Sequence, residues 1–173
     1  MWLRDGDAGF GIMPVRDNTE LRIAFGFESA PLAHALRDGD ALRQLVVDKL
    51  ASTRWEGARL AEAARKAPDF YCDAMAQIRM DSWSRGRVAL LGDAGYCPSP
   101  LSGQGTSLAL VGAHVLADCL ARAAGDHRAA YARYERRMRP FVTLNQALAT
   151  ENPGGPASEE SVAHAKNALA LDS

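Results

Sequence analysis

The sequence has 173 residues, of which 47% are hydrophobic and 24% charged, with 20 basic against 21 acidic side chains. This composition excludes wholesale disorder, and the net charge of −1 gives no electrostatic reason to expect nucleic acid as a partner. No apolar run is long enough for a membrane-spanning helix, and the first residues lack the pattern of a signal peptide. We therefore expect a globular, cytoplasmic protein.

Cysteine and histidine residues form no metal-binding or disulfide pattern. The three cysteines lack C-x-x-C spacing, and no two of the four histidines stand four residues apart. These residues are Cys72, Cys97, Cys119, His34, His114, His127 and His164. The pattern predicts neither a bound metal nor a disulfide framework, which agrees with a reducing compartment.

The first 27 residues have the pattern of a β-hairpin. A strand is predicted over 10–15 and a turn over 16–19. The return strand places one set of apolar residues on a single face, which predicts a half-buried sheet: Leu21, Ile23, Phe25 and Phe27. Met13, Phe25 and Phe27 could also line a substrate pocket, although their period favours sheet core.

Helical spacing begins after a predicted break at Pro31. Asp40 is the expected N-cap of a first helix. Its apolar residues recur every three or four positions: Leu42, Leu45, Val46 and Leu50. A second helix is predicted over 58–66. Residues 71–80 alternate with a period of two, which predicts another strand.

The second half of the chain begins with a short apolar run, 88–91, which predicts a strand covered on both faces. A loop rich in Gly, Pro and Ser follows over 92–105. The next helix begins near Thr106 and is apolar nearly all round, so we expect it to be buried. Asp126 is predicted to cap a further helix, which Pro140 should kink or end. At most a short helix is expected in the tail.

Asp93 stands one residue beyond the glycine that ends the predicted strand. Ligands of open α/β sheets bind beyond the carboxyl ends of strands, and a carboxylate there can accept hydrogen bonds from a ligand hydroxyl. The N-terminus of the helix from Thr106 would favour an electron-rich group in the same crevice. These features predict a site for a polyhydroxylated ligand with an electron-rich edge. The alternative is that Asp93 only caps a turn.

Residues 86–94 read Gly-Arg-Val-Ala-Leu-Leu-Gly-Asp-Ala and precede Pro100 and the sequence Gly-Gln-Gly at 103–105. This arrangement resembles the second flavin-binding motif of FAD-dependent aromatic hydroxylases, the para-hydroxybenzoate hydroxylase-like monooxygenases. The resemblance continues through the Tyr-x-x-Tyr-Glu-Arg sequence at 131–136 and covers about residues 8–150.

The resemblance implies an α/β fold in two parts. Residues 1–80 would be part of a substrate domain, because the hairpin with Pro14 is similar to that domain's sheet. Residues 81–150 would be the C-terminal piece of a Rossmann-like FAD-binding domain, and 151–173 a linker and tail. The N-terminal βαβ unit of the family would be lacking.

The resemblance also implies FAD as cofactor and suggests which residues hold it. Asp93 would bind a ribityl hydroxyl, Pro100 and Leu101 would lie beside the isoalloxazine ring, and backbone N–H groups at the helix start would face the N1–C2 carbonyl edge. The implied set is Gly92, Asp93, Ala94, Pro100, Leu101, Gly103, Gln104, Gly105 and Thr106. The family's chemistry is reduction by NAD(P)H and hydroxylation of a small organic, typically aromatic, substrate with O₂. No general base is identifiable.

The sequence departs from the family in three places, one of which is the absence of the family's middle Asp-Gly motif. The usual Gly-Asp-Ala-Ala-His is replaced by a sequence that ends in Tyr96, and no G-x-G-x-x-G run is present, since Leu108 stands where the third glycine after 103–105 would fall. Two hypotheses follow. The chain is the C-terminal part of a monooxygenase, or it is a non-catalytic remnant or split-enzyme subunit that needs a partner chain with the missing Rossmann half.

Other reactive residues have simpler interpretations. Cys97 has no suitably spaced base, and Ser99 and Ser102 form no nucleophile elbow, so a hydrolase is not expected. The arginines between 128 and 139 have the acidic residues Asp126 and Glu135 among them, and the chain has no overall positive charge, so they predict a solvated helix face. The strand over 88–91 would lack neighbours, which predicts a marginally stable or aggregating isolated chain.

Overall fold

The structure is a computed structural model that describes residues 2–29, 38–152 and 155–171. The predicted break at Pro31 lies outside these residues, as does His34. No helix within the described part of the chain is both long and apolar enough to cross a membrane.

The chain divides into two compact units, Met1–Ala74 and Met75–Ser173. The first unit begins with an antiparallel sheet of three strands in the order β1-β2-β3: β1 Trp2–Asp5, β2 Ala8–Val15 and β3 Glu20–Phe27. Residues 16–19 form the turn between β2 and β3, so the predicted hairpin is confirmed.

Only one end of the sheet's apolar face is buried. Phe10 pairs with Phe25 in the ladder, and both belong to the core beside Phe27. Near the turn, Leu21 is 62% exposed. The prediction that the whole face of β3 is half-buried was therefore wrong at its first residues. Of the three candidate pocket residues, the two phenylalanines pack in the core, whereas Met13 is exposed.

Two helices supply the rest of the first core. They are α1 Gly39–Ala51 and α2 Gly57–Lys66. The N-cap of α1 is Asp38 instead of the predicted Asp40, because the Asp38 carboxylate accepts hydrogen bonds from the N–H groups of Asp40 and Ala41. The second helix starts one residue before its predicted beginning. Val46, Val47 and Leu50 of α1 pack against the phenylalanines of the sheet.

The strand predicted over 71–80 does not form. Ile78 instead donates its N–H to the carbonyl oxygen of Cys97 at 3.0 Å, and its own carbonyl accepts from Gln146 Nε2 at 2.8 Å. Backbone groups that a sheet would pair are thus bonded to a loop and to a helix side chain. Alternation alone could not distinguish this extended segment from a strand.

The second unit contains one strand pair and four α-helices among its described residues. Its elements are β4 Ser84–Arg85, β5 Val88–Ala89, α3 Asp93–Tyr96, a 3₁₀ turn Pro100–Ser102, α4 Gly105–Ala121, α5 His127–Glu151 and α6 Glu159–Lys166. The helix predicted near Thr106, the short helix in the tail and the Asp126 cap of α5 are confirmed.

Two burial predictions for this unit were wrong. Val88 is 64% exposed, so this strand is not covered on both faces; β5 pairs with β4 alone among the described strands. Helix α4 buries Leu108 and Val115, but Leu110 on its opposite side is 68% exposed. An apolar sequence shows that a segment can be buried, but not that another element packs against it.

Helix α5 runs through Pro140, so it does not end there; a kink, the other outcome predicted at this residue, stays a prediction. Proline removes one backbone hydrogen bond from a helix interior. The residues just beyond it, Phe141 and Val142, are buried in the core with Met138. This packing on both sides of Pro140 offsets the lost bond and carries the helix on to Glu151.

The closest packing in the second core is between α4 and Tyr96. A Cβ atom placed on Gly112 would overlap the Tyr96 hydroxyl oxygen and lie 3.0 Å from Leu91 Cδ1. Tyr96 is itself buried and packs against Trp83 in a tilted arrangement, with ring centroids 4.6 Å apart and an interplanar angle of 52°. Glycine at 112 is therefore required for this approach.

We expect Gly112→Ala to destabilise the protein by about 1–3 kcal/mol, the usual cost of overpacking. In an open helix the same change would stabilise by up to about 1 kcal/mol. Thermal denaturation measures the effect. Adding Tyr96→Phe removes the overlapping oxygen and should recover part of the loss. Equal destabilisation in both backgrounds would contradict the contact.

Candidate functional site

The predicted site begins at a glycine in a conformation that other residues rarely adopt. Gly92 has φ of 63° and opens α3, where its carbonyl accepts hydrogen bonds from the N–H groups of Gly95 and Tyr96, each at 3.0 Å. A Cβ on Gly92 would lie 3.2 Å from Ala109 Cβ. The turn that carries Asp93 is therefore seated directly on α4.

Asp93 lies beside the start of α4. A Cβ placed on Gly105, the first residue of that helix, would be 3.7 Å from Asp93 Oδ1. The Asp93 residue is exposed. The fold thus brings together two features that lie twelve residues apart in sequence, a solvent-accessible carboxylate and a helix N-terminus.

The connection between them is more ordered than the predicted loop. It contains α3 and the 3₁₀ turn, and Ser99 before that turn has φ of 73°. Ser102 Oγ donates to the Ser99 carbonyl at 2.9 Å and accepts from Gln104 N–H at 3.1 Å. Leu101, in the same turn, is 60% exposed. Buried hydroxyls therefore support a turn that holds an apolar side chain outward.

The start of α4 has unsatisfied hydrogen-bonding capacity. Helices α1, α5 and α6 are capped by side chains, whereas Gln104 at the N-cap of α4 makes no side-chain cap bond. Gln104 is 7% exposed, and its Oε1 atom has no hydrogen-bond partner. An unpaired buried acceptor costs about 1–3 kcal/mol. A ligand that donates to this oxygen and accepts from the helix N–H groups would satisfy both.

Helix α5 fixes the segment that leads into the site. Tyr131 donates to the Arg87 carbonyl and Tyr134 to the Leu90 carbonyl, each at 3.2 Å. Glu135 Oε1 accepts from Ser84 Oγ, Trp83 N–H and Ser82 Oγ within 3.0 Å. These bonds explain the residues at 131–136 physically: they attach the β4–β5 hairpin to α5. The sequence analysis did not predict that these residues attach the hairpin. Their spacing of three and four residues, which places them on one face of a helix, was the available signal.

Glu135 is held as a carboxylate. Burial raises the pKa of its carboxyl, but hydrogen bonds from Ser84, Arg139, Ser82 and the Trp83 N–H outweigh that and set the pKa below its usual range. Arg139 lies 2.8 Å from Glu135 Oε2, and its guanidinium stacks 4.6 Å from the Trp83 ring centroid.

The arginine stripe predicted as a solvated face is partly structural. Arg139 pairs with Glu135, and Arg137, whose side chain is largely buried, lies 2.9 Å from the Asp118 carboxylate of α4. Arg128 and Arg136 are exposed, as predicted. The arginines therefore serve α5 packing as well as its surface.

The predicted site does not coincide with the groove near Glu135. That groove of the second unit, about 470 Å³, is lined by Glu135 and its neighbours and by none of the nine predicted site residues. The described residues contain no group of three metal-ligating side chains, and Cys72, Cys97 and Cys119 are free. The predicted site is an open surface formed by residues 90–96, called the Asp93 turn, and the start of α4.

Comparison with known proteins assigns the chain to a family. Residues 3–148 match the FAD binding domain family. The chain is 49% identical over 146 residues to an uncharacterized protein of Mycobacterium tuberculosis, which covers 84% of the chain and 39% of that protein. It is 44% identical over 131 residues to a flavin-dependent monooxygenase of Legionella longbeachae, covering 75% of the chain and 34% of that enzyme.

Solved structures agree. The crystal structure of tetracycline destructase Tet(55) superposes with a TM-score of 0.88 at 36% identity, over 99% of this chain and 50% of that one. Tetracycline destructase Tet(51) gives a TM-score of 0.79 at 32% identity. The chain thus spans about half the length of these structures and less than two fifths of the curated relatives it matches.

The chain belongs to the FAD binding domain family, in the α/β class, together with flavin-dependent monooxygenases. Its cofactor is FAD. The residues at the start of α4 fit this group. The pyrimidine edge of the isoalloxazine ring alternates carbonyl acceptors with an N–H donor, which complements the helix N–H groups and the unpaired Gln104 Oε1.

Glu135 should make the protein sensitive to acid. Its folded-state pKa is lowered, so the stability it contributes is present above about pH 4.5 and is lost as pH falls through the folded pKa. We expect Glu135→Gln to flatten the acid side of the unfolding free energy measured by urea denaturation between about pH 7 and 3. Glu160→Gln, which removes an exposed carboxylate from α6, is the control. Parallel profiles for wild type and Glu135→Gln would contradict the assignment.

Proposed function

We propose that the second unit binds the isoalloxazine and ribityl portions of FAD at the Asp93 turn and the start of α4. The single observation behind this is the position of the Asp93 carboxylate over Gly105, at a helix start with no side-chain cap and a buried unpaired acceptor. The same features would be costly in a protein that bound nothing there.

Each element of the site has a separate task in this proposal. The Asp93 carboxylate accepts a hydrogen bond from a ribityl hydroxyl. The backbone N–H groups at Gly105 and Thr106 donate to the carbonyl edge of the ring, and the positive end of the α4 dipole stabilises negative charge there. Pro100 and Leu101 cover part of the ring face with apolar surface and exclude water. Gln104 Oε1 accepts a hydrogen bond from the ring N–H. The remaining members of the predicted set, Gly92, Ala94 and Gly103, give the backbone its course.

We propose further that the site serves a monooxygenase. Bound FAD supplies the redox and oxygen chemistry, with NAD(P)H as reductant and O₂ as the source of the hydroxyl group. The protein's contribution at this site is to orient the ring and to favour its negatively charged form. The names of the relatives support this reaction class. A small organic, aromatic substrate is proposed by resemblance, with residues 1–80 as part of the domain that receives it.

The proposal gives this chain only the ring and ribityl portions of the cofactor, because its 173 residues contain no G-x-G-x-x-G run. A partner chain that supplies the pyrophosphate-binding unit remains the second hypothesis. Riboflavin contains the ring and ribityl groups but not the pyrophosphate and adenosine of FAD. If the chain binds only the ring and ribityl groups, riboflavin and FAD should bind with similar affinity.

Asp93→Asn tests the central contact. Removing a charged hydrogen-bond acceptor costs about 1.5–3 kcal/mol, so the Kd for FAD should rise about 10- to 150-fold in a titration followed by flavin fluorescence. Asp81→Asn removes an exposed carboxylate of the same unit, and its Kd should equal that of the wild type. Unchanged affinity in Asp93→Asn would contradict the role of Asp93. Absence of flavin binding by folded wild type would overturn the proposal.

A further inference from the structure

One buried hydroxyl is bonded to both ends of the segment that carries Asp93. Tyr134 Oη of α5 lies 3.2 Å from the Leu90 carbonyl oxygen and 2.8 Å from the Tyr96 hydroxyl. Leu90 precedes Gly92 by two residues, and Tyr96 is the last residue of α3. A single side chain therefore spans the beginning and the end of the Asp93 turn.

The direction of these bonds follows from chemistry. The Leu90 carbonyl can only accept, so the Tyr134 hydroxyl donates its one proton to it. The Tyr96 hydroxyl must then donate to Tyr134 Oη. Tyr134 is fully buried and Tyr96 is 1% exposed, so water offers neither hydroxyl a substitute partner. Losing either bond leaves a polar group without a partner in the core.

The Tyr96 side chain is also confined sterically. It lies between Trp83 on one side and Gly112 of α4 on the other, where no Cβ would fit. Its hydroxyl therefore cannot swing to another acceptor without displacing α4. Through its hydroxyl, Tyr96 joins the end of the turn to α5.

We propose that Tyr134 is a positioning residue for the flavin site, which acts through Asp93 and does not itself touch the cofactor. This inference rests on the proposed function. By holding Leu90 and Tyr96 together, the hydroxyl of Tyr134 fixes the turn so that the Asp93 carboxylate stays beside the first residue of α4. Removing only the Tyr134 hydroxyl should therefore release the Asp93 turn while the aromatic ring keeps the core packed.

Three phenylalanine substitutions give a graded test. Tyr134→Phe removes both bonds to the turn, and Tyr96→Phe removes one but leaves the bond from Tyr134 to Leu90. Tyr131→Phe is the matched control, because Tyr131 also donates from α5 to a carbonyl at 3.2 Å, that of Arg87, outside the turn. All three substitutions keep the aromatic ring.

Amide hydrogen exchange measures the turn without any flavin. The N–H groups of Gly95 and Tyr96, bonded to the Gly92 carbonyl, should exchange about tenfold faster in Tyr134→Phe, less so in Tyr96→Phe and as in wild type in Tyr131→Phe. The Leu108 amide of α4 reports general loss of stability. Unchanged rates at 95 and 96, or equal acceleration at 108, would overturn the proposal. If Tyr134→Phe fails to fold, the milder Tyr96→Phe decides.

FAD affinity provides the second readout. Tyr134→Phe should raise the Kd about tenfold in the native background and leave it unchanged in the Asp93→Asn background, because Tyr134 acts through that carboxylate. An equal effect in both backgrounds would overturn the inference. If folded wild type binds no FAD, the proposed function fails, and the exchange rates alone then decide whether Tyr134 positions the turn.

Discussion

The structure of the second unit depends on the attachment of α5 to the segment that precedes α4. Helix α5 makes hydrogen bonds to successive parts of residues 82–96. Glu135 accepts from the Trp83 N–H, and Tyr131 and Tyr134 donate to backbone carbonyls. This segment has little regular structure of its own, since its strands are two residues long. Tyr131 and Glu135 attach the β4–β5 hairpin, whereas Tyr134, together with the contact of Gly92 with α4, holds the residues around Asp93. The long helix thus serves as the template on which the site is built.

The attachment explains why a chain with an open sheet edge can still present a defined site. Strand β5 leaves Val88 exposed and pairs only with β4. The core beneath it is complete, however, because Trp83, Tyr96, Leu108 and Met138 are buried together. The site therefore relies on helix packing and buried hydrogen bonds, and not on the parallel sheet in which such a strand would usually lie.

The sequence predicted the features that depend on local chemistry. The hairpin, the Asp126 cap, the helix after Gly105 and the juxtaposition of Asp93 with that helix follow from turn residues, capping and spacing. It failed where tertiary contacts decide. Residues 71–80 alternate but find no strand partner, α5 continues past Pro140 with buried residues on both sides, and Leu110 is apolar but uncovered. The role of Tyr134 could not be predicted, because it depends on which backbone carbonyl lies next to its hydroxyl in the folded chain.

The most direct measurement is a two-dimensional ¹H–¹⁵N NMR titration of the folded chain with FAD. Binding at the proposed site should shift the amide signals of residues 92–94 and 101–106, with small effects on the β4–β5 hairpin. Shifts confined to the groove near Arg128 and Tyr131, or to the sheet of the first unit, would contradict it. So would an unchanged spectrum at saturating FAD.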